Sequence, residues 1–220
     1  MMNYVDFLLW VRGPAFQIAT AIFIFGLSWR LLEILSLSRK PELAVVRERG
    51  IAGGFRTIFR RFLPVDDNTF QRSAFIITAG YIFHLGFFII LLLFVPHILF
   101  FREFFGFSWP GLPTPVIGII TIMTLLALIA LLINRMRHPV LRFLSGFEDY
   151  FVWIVTFLPV LTGYMAFHHF FHYPLMLALH ILSVELLMIV FPFTKLMHTF
   201  TWFISRWYTG SRAAQKGVQV

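Results

Sequence analysis

Cysteine is absent from the 220-residue sequence. Without a thiol, the chain forms no disulfide, holds no thiolate-ligated iron–sulfur cluster, attaches no c-type haem and uses no cysteine nucleophile. Any iron–sulfur chemistry connected with this protein therefore belongs to another subunit.

Charged residues are also scarce, at 13% of the sequence, whereas hydrophobic residues make up 59% and the mean hydropathy is +0.83. A soluble domain has about a quarter of its residues charged, so this composition excludes an ordinary soluble fold. The net charge of +8 then has a simpler source than nucleic-acid binding, namely basic loops on one side of a membrane. The sequence predicts an all-α integral membrane protein of the inner (cytoplasmic) membrane, in contact with lipid and not with nucleic acid.

Five apolar stretches are long enough to cross a bilayer. We expect transmembrane helices at about 14–37, 73–101, 116–133, 148–167 and 175–200, in one membrane domain covering 1–220. The first stretch lacks the basic start and the small-residue cleavage site of a signal peptide, so we expect it to remain as a helix.

Lysine and arginine are distributed unevenly between the ends of these helices. Most of them lie in the segments 38–72 and 134–142 and at the C-terminal end, whereas the opposite side carries only Arg12 and Arg102. Because cytoplasmic loops carry the excess of basic residues, the N-terminus is expected outside and the C-terminus in the cytoplasm. The basic tail is expected to be loosely ordered, and 134–142 to be a turn.

The cytoplasmic loop 38–72 contains an amphipathic pattern. Its apolar residues recur at helical spacing: Phe55, Ile58, Phe59 and Phe62. Arginines lie between them, so the segment is expected to form a short basic helix that lies on an anionic leaflet. It could equally form a docking surface for a soluble partner.

Two histidines stand out in the last apolar stretch. His180 and His198 are eighteen residues apart, which on a continuous helix is five whole turns. Both imidazoles would then leave the same face, roughly 27 Å apart along the axis. A histidine inside a membrane segment is costly to desolvate without a partner, and neutral imidazole is a good ligand for haem iron.

The topology gives each of these histidines a partner at the same depth. Helix two runs outward and helix five inward, so His84 is level with His198 on the cytoplasmic side and His97 with His180 on the outer side. Each pair could ligate one b-type haem through its iron, which predicts two haem b groups. On an ideal helix His97 lies ~140° round from His84, and Pro96 offers a kink that could correct this angle.

Other readings of the same residues stay open. A membrane histidine can be a hydrogen-bonded packing residue, and Gly80 and Gly86 beside His84 suit either a flat macrocycle or a plain helix contact. The histidines that follow helix four could carry protons, contact quinol or simply lie in a solvated turn: His168, His169 and His172. Glu185 is expected to pair with another helix.

Two stretches resemble a known family. The segment Phe191 to His198 (FPFTKLMH), with His180 eighteen residues before its end, resembles the fifth helix of the gamma subunit of membrane-bound respiratory nitrate reductase. The segment Phe83 to Gly86 (FHLG) resembles that family's second helix. One position departs from the family: its second ligand on helix two follows the first by ten residues, where this sequence has Phe94, and His97 is the nearest substitute.

The resemblance implies a dihaem cytochrome b that oxidises quinol near the outer face and sends electrons to a cytoplasmic iron–sulfur subunit. Relatives include membrane cytochromes b of heterodisulfide-reductase-like and sulfur-respiring complexes. We therefore expect an electron-transfer subunit working between the quinol/quinone pool and an iron–sulfur or molybdenum catalytic partner. The candidate quinone contacts are Arg102, Glu103, His168 and His169. The alternative function is a haem-free membrane anchor or a small transporter.

Overall fold

The computed structural model describes residues 3–37, 45–47, 49–62 and 67–218, except for the side chains of 67–69. Parts of the predicted loop 38–72, among them Arg39 and Lys40, lie outside the described residues. Within the described residues the chain is built from helices joined by short loops.

Five of the described helices are long and apolar enough to cross a membrane, which confirms the predicted number of spans. They are Tyr4–Ser36, Phe70–Leu93, Thr114–Arg137, Phe147–Phe167 and Tyr173–Phe193. Many of their apolar side chains are exposed on the protein and most of the others are only partly buried, and lipid offers such side chains favourable surroundings. The chain is therefore a multi-pass membrane protein.

The helices are numbered here in chain order. They are α1 (Tyr4–Trp10), α2 (Phe16–Ser36), α3 (Gly50–Phe62), α4 (Asp67–Leu93), α5 (Val95–Phe105), α6 (Thr114–Arg137), α7 (Pro139–Leu144), α8 (Phe147–Phe167), α9 (Tyr173–Val190) and α10 (His198–Gln215). The predicted fourth helix agrees with α8 to within a residue. The predicted turn at 134–142 is wrong, because α6 continues to Arg137 and α7 follows after a single extended residue, His138, before Pro139.

The first span begins ten residues earlier than predicted. Asn3 caps α1 and forms a capping box with Asp6, which satisfies the first backbone N–H groups. A π-helical turn, Val11–Ala15, then joins α1 to α2 and contains Pro14. A π-turn accommodates the proline because the missing N–H interrupts the regular hydrogen-bond pattern there.

The second predicted helix is broken near its outer end. Phe94 has extended backbone angles (φ −81°, ψ 124°) and separates α4 from α5. A further bend lies at Ser73 (φ −127°, ψ 17°), where the predicted helix begins. The sequence offered a kink at Pro96, whereas the structure has a full break at Phe94.

The fifth predicted helix is also broken, and this overturns one prediction. Instead of running from 175 to 200, α9 ends at Val190 and is followed by two short 3-10 turns, Phe191–Phe193 and Lys195–Met197. Pro192 lacks the N–H that would continue the α-helical pattern. His180 and His198 therefore do not share one face of a continuous helix.

The chain divides into two compact units. The first consists of residues 1–23 and 75–190, and the second of residues 24–74 and 191–220. In the first unit α9 packs along α8, α8 packs against α6, and α1 packs against α9. Arg135 of α6 bonds Ser145 at 2.9 Å and lies 3.5 Å from a carboxylate oxygen of Asp149 at the start of α8.

The second unit is centred on the pairing of α3 with α10. A Cβ atom added to Gly50 would meet Ser211, and one added to Gly54 would meet Trp207. The two helices therefore run antiparallel and approach closely through small residues. The expectation of a loosely ordered tail is wrong, since residues 198–215 are helical and packed on α3.

Candidate functional site

The predicted outer pair, His97 and His180, lies together in the first unit. Their ring centroids are 6.2 Å apart and their ring planes are inclined by 17°. Metal–imidazole bonds are ~2.0–2.1 Å long, so an atom bonded to two Nε2 atoms separates the ring centroids by roughly 6.3 Å, with about 1.1 Å from each nitrogen to its ring centre. The observed centroid separation is close to this value.

His180 is held by α8. Its Nδ1 donates a hydrogen bond to the carbonyl oxygen of Pro159 at 3.1 Å, and Thr162 Oγ1 lies 3.5 Å from the same nitrogen. A Cβ atom on Gly163 would come within 3.0 Å of His180 Cε1 and 3.1 Å of Nδ1. Only glycine therefore lets the ring lie this close to α8 without displacement.

Hydroxyl groups also hold the backbone at His180. Ser183 Oγ donates to the His180 carbonyl oxygen at 2.7 Å and lies 3.1 Å from Thr162 Oγ1. These hydroxyl contacts join α8 and α9 beside the ring, so the position of His180 depends on both helices.

His97 is held by the break between α4 and α5. Its Nδ1 donates to the carbonyl oxygen of Ile90 at 2.9 Å. Phe94 packs edge-on against His97, with ring centroids 5.2 Å apart, and also against Phe167 of α8 at 5.3 Å. Phe94 thus packs between His97 and α8.

These hydrogen bonds determine which nitrogen of each ring is available. Because a carbonyl oxygen can only accept, Nδ1 carries the proton in both His97 and His180, and Nε2 has the lone pair. A carbonyl partner on the other ring nitrogen is the usual support of a metal-ligating histidine, since it fixes ring orientation and raises basicity.

Few other possible metal ligands lie near His97 and His180 among the described residues. In the part of the chain that the structure describes, no three histidine, cysteine or carboxylate side chains come together to bind a metal ion. Neither α4 nor α5 packs closely along α9 there, whereas α8 does. The pair thus brings together two imidazole rings from helices that do not pack closely along each other.

The predicted inner ligands lie in different units, His84 in the first and His198 in the second. His84 Nδ1 donates to the Gly80 carbonyl oxygen at 2.7 Å, and His198 Nδ1 donates to the Lys195 carbonyl oxygen at 2.8 Å. All four predicted ligands therefore have the same hydrogen-bonded Nδ1.

The two glycines beside His84 differ. A Cβ atom on Gly86 would collide with Thr124 of α6, so this glycine serves a close helix contact. A Cβ atom on Gly80 would meet nothing within 4 Å. The sequence offered either a plain helix contact or room for a flat macrocycle at these glycines. Gly86 makes the helix contact, whereas Gly80 leaves an open surface next to His84.

Among the quinone candidates, His168 is linked to the outer pair. Its ring lies 5.1 Å from that of Phe167, which contacts Phe94, which in turn contacts His97. Tyr164 lies one turn earlier on α8 with its ring 4.4 Å from His168. The rings of Tyr164 and His168 are thus adjacent at the C-terminal end of α8.

The other candidates lie elsewhere. Arg102 and Glu103 are exposed on α5, five and six residues after His97. His169 has positive φ (54°) and packs against Tyr173, whereas His172 stacks on Tyr4 at 5.2 Å. The three histidines of this turn therefore have separate aromatic partners and do not form one cluster.

Glu185 does not show the partner that the sequence led us to expect. The side chain is only 3% exposed. Its Oε1 accepts no hydrogen bond from any described residue.

Sequence reasoning missed the residues that hold the outer pair. Pro159 and Gly163 occupy one face of α8 at a spacing of four residues, and a proline followed by a glycine inside a spanning helix was the available signal. Trp109 was also missed; its Nε1 donates to the Leu92 carbonyl oxygen at 2.6 Å.

Comparison with known proteins gives one informative relationship. The chain is 32% identical over 194 residues to a protein of Nitratidesulfovibrio vulgaris (strain Hildenborough) that is described only as "Protein". The alignment covers 88% of this chain and 83% of that protein. No family model matches the sequence, and no solved structure matches it significantly.

Proposed function

The chain belongs to one family with the Nitratidesulfovibrio vulgaris protein, and we propose that it is a dihaem b-type cytochrome that carries electrons across the membrane. The observation that carries the proposal is the pair His97 and His180, with ring centroids 6.2 Å apart and both Nδ1 atoms bonded to backbone carbonyls. Among the described residues no third ligand joins them. A haem supplies its own four nitrogens and needs two axial ligands of this kind.

The proposal includes a second haem b near the cytoplasmic side, with His84 and His198 as its ligands. Its support is the shared Nδ1–carbonyl bond at each histidine and the open surface at Gly80.

Bound haem supplies one-electron chemistry. The carbonyl groups of Pro159 and Ile90 orient the two imidazoles that would hold the haem, and the apolar helices would keep water away from it. Because the two predicted pairs lie at different depths, the two sites would provide successive stations for an electron crossing the membrane.

The outer end of α8 is the proposed place of quinol oxidation. Oxidising one quinol to quinone releases two electrons and two protons, so a proton acceptor is needed near the outer haem site. His168 and Tyr164 suit this role because they are adjacent and linked to His97 through Phe167 and Phe94. Arg102, Glu103 and His169 remain candidates for binding the quinone.

The α3–α10 pair is the proposed contact for a cytoplasmic iron–sulfur or molybdenum partner. Its exposed aromatic side chains include Phe55, Phe59 and Phe203, at 53%, 70% and 48%. Arg56, Arg60 and Arg61 lie among them on α3. By the positive-inside rule these helices face the cytoplasm, with the N-terminus outside, as expected for the inner membrane.

The test is haem quantitation of the purified protein by pyridine haemochrome, with a redox titration of the reduced-minus-oxidised spectrum. We expect two haem b per chain. His97→Ala and His180→Ala each remove the same haem, whereas His84→Ala and His198→Ala remove the other. His138→Ala is the control, because His138 is exposed and outside both pairs.

A haem-free wild-type protein would refute the proposal and favour the membrane anchor or small transporter. A single haem that survives His97→Ala would show that the outer site is not built from His97 and His180. Co-purification with a cysteine-rich iron–sulfur protein or a molybdenum enzyme would identify the class of partner.

A further inference from the structure

The outer loop between α5 and α6 holds the break that brings His97 to His180. In a continuous helix the N–H of residue 96 would donate to the carbonyl oxygen of Leu92, but Pro96 has no N–H. Trp109 Nε1 donates to that oxygen instead, at 2.6 Å. The indole therefore replaces the hydrogen bond that the proline removes.

The neighbouring carbonyls at the end of α4 are also satisfied from outside the helix. The backbone N–H of Leu112 donates to the Leu93 carbonyl oxygen at 2.9 Å, and His97 Nδ1 donates to that of Ile90. In a lipid environment each unpaired carbonyl would cost several kcal/mol. The hydrogen bonds from the loop and from His97 therefore lower the free-energy cost of breaking the helix within the membrane.

The loop is also packed against the break. A Cβ atom on Gly111 would lie 2.8 Å from Val95 Cγ2 and 3.0 Å from the Leu93 carbonyl oxygen. The ring of Trp109 stacks on that of Phe101 on α5, with centroids 6.0 Å apart. The indole thus contacts α4 through its N–H and α5 through its ring.

We propose that Trp109 is a positioning residue for the outer histidine pair: by hydrogen-bonding the Leu92 carbonyl it holds the α4–α5 break at which His97 turns toward His180. This inference rests on the proposed function for its link to haem, while its structural part does not need the haem. We call the hydrogen bond from Trp109 to the Leu92 carbonyl the clamp. Without the clamp, His97 loses its fixed orientation toward α9.

The test compares Trp109→Phe with Trp153→Phe. Phenylalanine keeps an aromatic ring against Phe101 and removes the N–H donor, and the Trp153→Phe control accounts for the smaller ring. Trp153 is the matched control because its Nε1 also donates to a backbone carbonyl, that of Leu128 at 2.9 Å, away from the break. Trp109→His, which restores a ring N–H, is the rescue variant.

The first readout is amide hydrogen exchange of the haem-free protein over residues 107–113. We expect at least tenfold faster exchange at the Leu112 amide in Trp109→Phe and no change there in Trp153→Phe. Equal exchange in Trp109→Phe and the wild type would overturn the clamp.

The second readout is the low-spin EPR signal and the midpoint potential of the outer haem in the haem-containing protein. We expect Trp109→Phe to shift or lose the signal that His97→Ala abolishes, and Trp109→His to restore it. Faster exchange with an unchanged outer haem signal would overturn the positioning role and leave the clamp. A wild-type protein that binds no haem would refute the proposed function and the positioning role, while the exchange result still decides the clamp.

Discussion

Gly163→Ala is the most direct test of how α8 holds His180. The added Cβ would lie 3.0 Å from His180 Cε1, 3.1 Å from Nδ1 and 3.7 Å from Nε2. Optimal carbon–carbon contacts are ~3.5–4.0 Å, so the ring or α8 has to move by about 0.5–1 Å. Metal–ligand distances tolerate only about 0.2 Å, and the bond from Nδ1 to Pro159 is already 3.1 Å long.

The size of the effect follows from the cost of overpacking. Inserting a methyl group into a well-packed site costs ~1–3 kcal/mol. If the haem-bound form bears this cost, the outer haem binds roughly 5- to 150-fold more weakly. The inner haem is expected to keep its wild-type affinity, because its candidate ligands lie elsewhere.

The assay is transfer of haem to excess apomyoglobin, combined with a redox titration that separates the two haems. Gly118→Ala is the control, since Gly118 lies in the spanning helix α6 and a Cβ atom there meets nothing within 4 Å. Wild-type haem loss and potentials in Gly163→Ala would refute the reasoning that this glycine seats His180.

Three further changes test other parts of the protein. Gly80→Leu is expected to leave a folded chain that lacks the inner haem, whereas Gly118→Leu, made in equally open space, retains both haems on quantitation; full haem content in Gly80→Leu would contradict the role of that surface. Gly53→Leu is expected to separate α3 from α10 and speed tryptic cleavage of the tail at least tenfold, because a Cβ atom there collides with α10, while the exposed Ala52→Leu does not; equal cleavage would argue against the pairing. Glu33→Gln removes a half-exposed ion pair of 2.7 Å and is expected to change the free energy of unfolding by less than about 0.5 kcal/mol in a denaturant titration; a loss above 1.5 kcal/mol would show that the pair is not a simple surface contact.

Hydropathy and basic-residue distribution are sufficient to predict the membrane class and the five spans, because lipid requires long apolar helices whatever their packing. The same reasoning could not locate the breaks at Phe94 and after Val190. A proline in the sequence marks a place where the helical hydrogen-bond pattern is interrupted. Whether the helix bends there, forms a π-turn as at Pro14, or breaks depends on hydrogen-bond donors from distant residues.

Candidate ligands could be named from sequence because histidines are few and their depths follow from topology. The residues that orient them were missed, since Pro159 and Gly163 act through a backbone carbonyl and a missing side chain and leave only a weak signal in the sequence. The assumption of straight helices also placed His180 and His198 on one face, which the 3-10 turns at 191–197 exclude.

The break at Phe94 changes how a histidine position can drift during evolution. On an uninterrupted helix, moving a ligand by three residues rotates it by about 300° and shifts it by roughly 4.5 Å. Here the chain restarts its helix after Phe94, so the direction of His97 is set by the break and not by its count from His84. A sequence search that requires a fixed interval between the two histidines would therefore miss relatives in which that interval differs. Such relatives would be recognised in their structures by a proline, a capping loop and a histidine ring nitrogen bonded to the carbonyl oxygen seven residues earlier.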